Sequence, residues 1–336
     1  MSKSVSFGDA TLFTLHNGAL TAQISTLGAT VVSVVVPDRD GNPVNVVAGY
    51  ETYEAARTKE GYLGAVIGRV ANRVKDGVIR YKGKELRLER NDNGNSLHSG
   101  GTGLHTRIWT VEAATDTALM LSCTTTAEGG FPGTFTVRTV YRLSPDTLTL
   151  TYTATATEDT PCNLTNHAYF CLQGAEAAKT SENGIYSTQI RIDADGYLSA
   201  DETLIPLQRT DVEGTPFDLR KAVAVGDRIE TESQDLKKGG GFDHHFFVNG
   251  TGWRVHAEAY CPETGIVLTA YSDLPGVQFY AGNFMGAGTA PYKRRSAFCL
   301  ETQHAPNSCN DLRYDNMWID AKKTTFTKTA YRFSVR

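Results

Sequence analysis

The hydrophobic positions of this chain recur mainly with a period of two. From Thr147 to Thr157, Leu148, Leu150, Tyr152, Ala154 and Ala156 alternate with threonines, as expected of a half-buried strand and not of a helix. Phe135, Val137, Thr139, Tyr141 and Leu143 alternate just before it, and Ser144-Pro145-Asp146 between the two runs predicts an antiparallel hairpin. Two more hairpins are predicted, Val78–Tyr81 with Leu86–Leu88 around Lys82-Gly83-Lys84, and His256–Tyr260 with Ile266–Tyr271 around Pro262-Glu263-Thr264-Gly265. Helical signals are short: two turns over Tyr50–Thr58 and one over Asp218–Val223. Frequent glycines and closely spaced turn signals fit an all-β fold, a large antiparallel β-sandwich. Lys237-Lys238-Gly239-Gly240-Gly241 resembles a linker but reads better as a mobile loop bordering a site, so residues 1–336 are expected to form one domain.

Composition narrows the choice of partner. The net charge of −4 is spread along 336 residues, with no basic block of the kind that tracks nucleic acid. No apolar leader opens the chain, and no stretch approaches the roughly 18 apolar residues of a membrane span. The expected setting is therefore cytoplasmic, with no nucleic acid and no membrane as partner, as a monomer or weak homodimer. The six cysteines form no Cys-x-x-Cys pair, and most lie in apolar runs, so they read as reduced, buried, small hydrophobes. No metal-ligand spacing is evident, and no metal or other cofactor is expected.

Four polar clusters interrupt the strand pattern. Gly68-Arg69-Val70-Ala71-Asn72-Arg73 offers guanidinium and amide groups suited to sugar hydroxyls, or else a salt-bridged strand end. Asn95-Ser96-Leu97-His98-Ser99-Gly100-Gly101-Thr102-Gly103 brings a histidine into a glycine-rich loop that a ligand can approach closely, though a solvated turn fits equally well. Asn163-Leu164-Thr165-Asn166-His167-Ala168-Tyr169-Phe170 sets two asparagines and a histidine in an apolar run, where each needs a partner. Phe298-Cys299-Leu300-Glu301-Thr302-Gln303 carries a glutamate behind three apolar residues, either an ion-pair partner or a working carboxylate.

Taken in order, these segments resemble the galactose mutarotase family of aldose 1-epimerases. The likeness extends through Trp109, Val212–Asp218, Gly241–His244 and Leu274–Phe284, and covers roughly residues 60 to 310. It implies a galactose mutarotase-like β-sandwich with an open cleft for a small-molecule aldohexose. It further implies Glu301 as general base, His167 as general acid, and His98 polarising or orienting the region of the ring oxygen. Asn72, Arg73 and Asp243 would bind hydroxyls, and Phe279 would supply an apolar wall. Ser99 replaces a usual glycine, Cys171 a frequent asparagine, and Pro206-Leu207-Gln208 a frequent Pro-Thr-Gly turn; these changes bear on loop shape and sugar preference. A carboxylate beside His167 is expected to favour the charged imidazole. Two rival readings share the fold: a hexose-6-phosphate 1-epimerase, with Lys293-Arg294-Arg295 as candidate phosphate binder, and a non-catalytic sugar-binding module.

Overall fold

The computed structural model describes residues 3–58 and 61–336. Two large antiparallel sheets pack face to face. The nine-stranded sheet runs in the order Thr110–Ala114, Ala118–Thr125, Phe135–Leu143, Thr147–Ala156, Thr324–Val335, Ile266–Ser272, Arg254–Tyr260, Gln189–Ile192, Val223–Ala224. The seven-stranded sheet runs Pro206–Asp211, Ala194–Ala200, Asp243–Val248, Gly276–Tyr280, Phe298–Gln303, Tyr169–Phe170, Val47–Ala48. A five-stranded antiparallel sheet built from residues 3–45 flanks them.

The period of two sets the core. Strand Thr147–Ala156 buries every second residue, and its apolar face meets Phe246, Val277, Phe279, Phe298 and Leu300 of the other sheet in one continuous cluster. Burying an aromatic or aliphatic side chain of this kind contributes about 1.5–3 kcal/mol. The two sheets are also pinned by polar contacts: the Tyr331 hydroxyl donates to the Leu300 carbonyl at 3.0 Å, and the hydroxyls of Thr302 and Thr329 pair across the interface.

The three expected hairpins form. Tyr81 pairs with Lys84, so Lys82-Gly83 makes a two-residue turn with positive φ at both positions (47° and 76°), the geometry that matches strand twist. Helices are short, at most six residues among the described residues, and none of them is long and apolar enough to cross a membrane. The first expected helix forms over Tyr53–Thr58. The turn expected at Asp218–Val223 does not. Asp218 is held by the forked guanidinium of Arg220 at 2.9 and 2.8 Å, and Val223 joins the sheet opposite Ile190. The expected mobile loop at 237–241 is instead the end of a helix, Gln234–Gly239, closed by Gly240 in the left-handed region with its N–H on the carbonyls of Leu236 and Lys237.

Candidate active site

An open cleft of about 1160 Å³ lies on the outer side of the seven-stranded sheet. Strand register decides which side chains reach it. On Phe298–Gln303, residues 298, 300 and 302 face the sandwich core, which leaves Cys299 and Glu301 on the cleft side. Cys299 lies opposite Tyr280 on one neighbour and Tyr169 on the other, Tyr280 lies opposite Asp243, and Gln278 lies opposite Glu301. Directly opposed residues share a face, so Asp243, Tyr280, Cys299 and Tyr169 form one row and Glu301 stands in the next.

His167 enters this floor from the link between the short strands Thr165–Asn166 and Tyr169–Phe170. Its backbone is clamped: its N–H donates to the Ala65 carbonyl and its carbonyl accepts from Gly64 N–H, both at 2.9 Å. Asn166 adds a bond from its amide to the Gly64 carbonyl at 2.7 Å. Only glycine fits at 64, because a Cβ there would lie 1.9 Å from the Val31 carbonyl oxygen at a φ of +74°. The His167 ring stacks on Tyr169 with centroids 5.0 Å apart, and its Nε2 stands 3.6 Å from Oε1 of Glu301.

Asn72 and His98 lock two loops together. Asn72 N–H donates to His98 Nδ1, and His98 N–H donates to the Asn72 carbonyl, each at 3.1 Å. Both residues take positive φ (62° and 53°), as does Ser99 at 67°, whose hydroxyl accepts from Val70 N–H and donates to its carbonyl. Those two bonds hold a serine where a glycine would sit without strain. Arg73 projects into the cleft between Asp92, at 2.7 Å, and Asp243, at 3.8 Å, while Asp243 also accepts from Gln278 at 2.7 Å. Arg69 turns the other way and donates to the carbonyls of Pro132, Thr126 and Gly133, a structural role.

Six of the seven site residues expected from the sequence therefore line one cleft: Asn72, Arg73, His98, His167, Asp243 and Glu301. Phe279 does not. It lies in the row with His244 and Leu300, fully buried against Phe242 and Phe298 in the sandwich core, because the alternation that turns Gln278 and Tyr280 outward turns it inward. Aromatic surface at the cleft comes from Tyr62, Tyr169, Tyr280 and Phe284 instead. Sequence reasoning also passed over Tyr62 and His105, whose rings meet edge to face at 4.9 Å beside His98, and over Cys299, whose Sγ sits 3.4 Å from Nδ1 of His167. Cys299 carried a usable signal: on a strand it must share the face of Glu301 two residues away.

Burial dominates the electrostatics. Glu301 is 2 % exposed, its Oε2 has no protein partner, and its carboxyl is held well above the usual range by burial and then by Asp243, with Arg73 opposing. Burial pushes the His167 imidazole down to about 4, and that of His98 well below its ordinary value. Burial also raises Asp243, against the pull of Arg73. The expected attraction between Glu301 and a charged His167 is opposed by burial, which favours the neutral form of each group. His167, Cys299 and Glu301 offer nitrogen, sulfur and oxygen donors within 4.8 Å of one another, the single such trio among the described residues. Cys299 and Glu301 stand more than 130 positions beyond His167, so no local spacing in the sequence signals the group.

Comparison with known proteins places this arrangement. The sequence model described as Aldose 1-epimerase matches residues 11–332. The chain belongs to the aldose 1-epimerase family. It is 37 % identical to the galactose mutarotase of Homo sapiens over 98 % of this chain and 95 % of that protein, and 32 % identical to the aldose 1-epimerase of Escherichia coli K12 over 89 % and 87 %. Among solved structures, the GalM/aldose epimerase homologue from C. elegans superposes with a TM-score of 0.88 at 22 % identity, covering 100 % of this chain and 99 % of that one. At that identity the last likeness concerns the fold alone: the same aldose 1-epimerase sandwich.

Proposed function

We propose that this aldose 1-epimerase interconverts the α and β anomers of free hexoses such as galactose and glucose by acid–base opening and reclosure of the pyranose ring. The carrying observation is the buried Glu301–His167 pair facing one another at 3.6 Å on the floor of an open cleft. In the reactive arrangement Glu301 is ionised and His167 carries the shared proton on Nε2. Glu301 takes the proton of the C1 hydroxyl while Nε2 delivers its proton to the ring oxygen O5. The C1–O5 bond breaks, the C1–O1 bond becomes a carbonyl, and rotation about C1–C2 presents the other face. Closure reverses both transfers, so the pair ends with the proton count it began with. Hydroxyl groups donating to the carboxylate and O5 accepting from the imidazole replace the missing solvation and draw the proton from Glu301 to His167. Acid and base steps of this kind each contribute about 10²–10⁴-fold.

Arg73 and Asp243 supply a donor fork and an acceptor beside the pair, suited with Asn72 to the remaining hydroxyls. Proton exchange within one sugar moves no electrons and transfers no group, so the chemistry calls for no cofactor. The cleft offers little to a hexose 6-phosphate through Lys293-Arg294-Arg295: none of the three lines it, and Arg295 is buried, donating to the Gly240 carbonyl at 2.7 Å. A binding module would have no use for an unpartnered buried carboxyl beside an imidazole. We read residues 1–336 as one catalytic domain, cytoplasmic, acting without nucleic acid or membrane, as a monomer or weak homodimer. Six buried free cysteines suit a reducing compartment. Polarimetry of freshly dissolved α-D-glucose and α-D-galactose tests the activity; an optical rotation that decays no faster than in buffer refutes it.

A further inference from the structure

Of the three histidines that line the cleft, His98, His105 and His167, the first and last have Nδ1 atoms that meet opposite kinds of partner. Nδ1 of His98 receives a backbone N–H, that of Asn72. A backbone N–H only donates, so the neutral His98 ring must carry its proton on Nε2. Nδ1 of His167 meets the sulfur of Cys299 at 3.4 Å, and Nε2 of the same ring faces Glu301. Cys299 is fully buried, and its thiol is held far above its ordinary value by burial and by the neighbouring carboxyls of Glu301 and Asp243, so it stays a neutral S–H.

We infer that Cys299 is a positioning residue for the ring-opening step: its sulfur accepts from Nδ1–H of His167, which keeps Nδ1 protonated throughout turnover and leaves Nε2 as the nitrogen that gives and takes the proton. This inference rests on the function proposed above. The proton balance requires such an arrangement. When Nε2 delivers its proton to O5, the ring becomes a neutral imidazole only if Nδ1 keeps its own; with the opposite tautomer at rest, Nε2 has no lone pair to take the proton back on closure. A thiol suits the task because sulfur is a weak acceptor. A carboxylate at this place would favour the imidazolium strongly and make it a poorer acid. The sulfur supports the N–H without trapping the charge, and its place two residues from Glu301 on one strand sets base and support on a single rigid element.

The test compares wild type, Cys299→Ala and Cys299→Ser by polarimetric kinetics, thermal unfolding and ¹⁵N spectra of the imidazoles, with His167 assigned through His167→Asn. The alanine variant lacks the sulfur acceptor, though the His167 ring keeps a contact with its own backbone carbonyl. It should lose roughly tenfold in kcat with KM unchanged, as the loss of one weak hydrogen bond to a group that acquires charge implies. The serine hydroxyl accepts from Nδ1–H and should recover most of that loss. A role confined to packing would make the two variants alike in kcat, since both remove similar volume. The wild-type spectrum should show neutral His167 protonated on Nδ1, and the alanine variant should shift toward the Nε2–H form. Wild-type kcat in Cys299→Ala, serine no better than alanine, or a wild-type His167 protonated on Nε2 would each overturn the assignment. Should the alanine variant fail to fold, the serine variant and the wild-type spectrum still decide it. If the wild-type protein leaves both sugars unchanged, the proposed function falls, while the tautomer reading stands or falls on the spectrum.

Discussion

Replacing Glu301 with glutamine separates what this carboxyl does for chemistry from what it costs the fold. The amide is nearly isosteric but cannot accept the C1 proton, so kcat should fall by about 10²–10⁴, or about 3–5 kcal/mol of barrier. Stability should move the other way, with a sign set by burial. The folded carboxyl titrates well above its ordinary 4.5, so the unfolded chain releases this proton first. The carboxyl's contribution to stability is complete below about pH 4.5 and is lost as pH rises toward the folded value. Glutamine carries no such loss. Each pH unit above 4.5 over which Glu301 stays protonated should therefore widen the gap in favour of the variant by about 1.4 kcal/mol. For a cooperative chain of 336 residues that corresponds to about 2 °C in Tm per pH unit. The amide N–H groups bring a burial penalty of their own, but it does not vary with pH, so the slope is the measure that counts. Calorimetry of both proteins from pH 5 to pH 8, with polarimetric rates on the same samples, gives both quantities. A Tm difference that stays flat with pH, or a variant that keeps more than about a tenth of wild-type kcat, would refute the reasoning.

Asp243→Asn removes a charged acceptor beside the pair and should lower kcat/KM by about 10–100-fold, mainly through KM, as expected for about 1.5–3 kcal/mol of hydrogen bonding to a charged group; unchanged kinetic constants for both sugars would remove Asp243 from the site. The pH profile of kcat/KM should be a bell whose acidic limb, where the pair gains a second proton at the imidazole, lies near 4, and whose basic limb, where the last proton leaves the carboxyl, lies above the ordinary carboxylate range. In Asp243→Asn the like charge that raises Glu301 is gone, so that basic limb should move to lower pH; an upward shift would contradict the electrostatics described above. Phe279→Ala should cost about 3–5 kcal/mol of stability, measured by denaturant unfolding, with KM nearly unchanged; a large rise in KM at intact stability would return Phe279 to the cleft.

Strands announce themselves through alternation, which is why Thr147–Ala156 and the three hairpins were legible within a residue or two. Their neighbours were not. Nothing local fixes that Tyr280 lies opposite Cys299, and without that register Phe279 and Tyr280 are equally good candidates for the cleft. One position of uncertainty exchanges inside for outside. Polar residues in apolar runs were informative because burial demands a partner: Asn163 proved to be fastened to the backbone of His304, whereas His167 and Glu301 were left facing each other. Attraction between Glu301 and His167 is easy to anticipate from sequence because it involves two named residues, whereas the burial that opposes it is not. Desolvation belongs to the whole surrounding wall, including Tyr62, Tyr169 and Tyr280 from three separate segments.

The strand that carries Glu301 and Cys299 is also the one fastened to the opposite sheet through Tyr331 and Thr329. Its apolar side chains are part of the central core, so it cannot open without breaking the sandwich. Local fluctuations that spare the fold are confined to weaker elements, and Glu301 does not ride on one. His167, on the link between two short strands, is held by its backbone bonds to Gly64 and Ala65. Amide hydrogens of residues 298–303 should exchange with solvent only through global unfolding, and activity lost in denaturant should follow the same curve as the loss of folded protein. Catalytic competence in this molecule is then a property of the whole sandwich, present or absent with it.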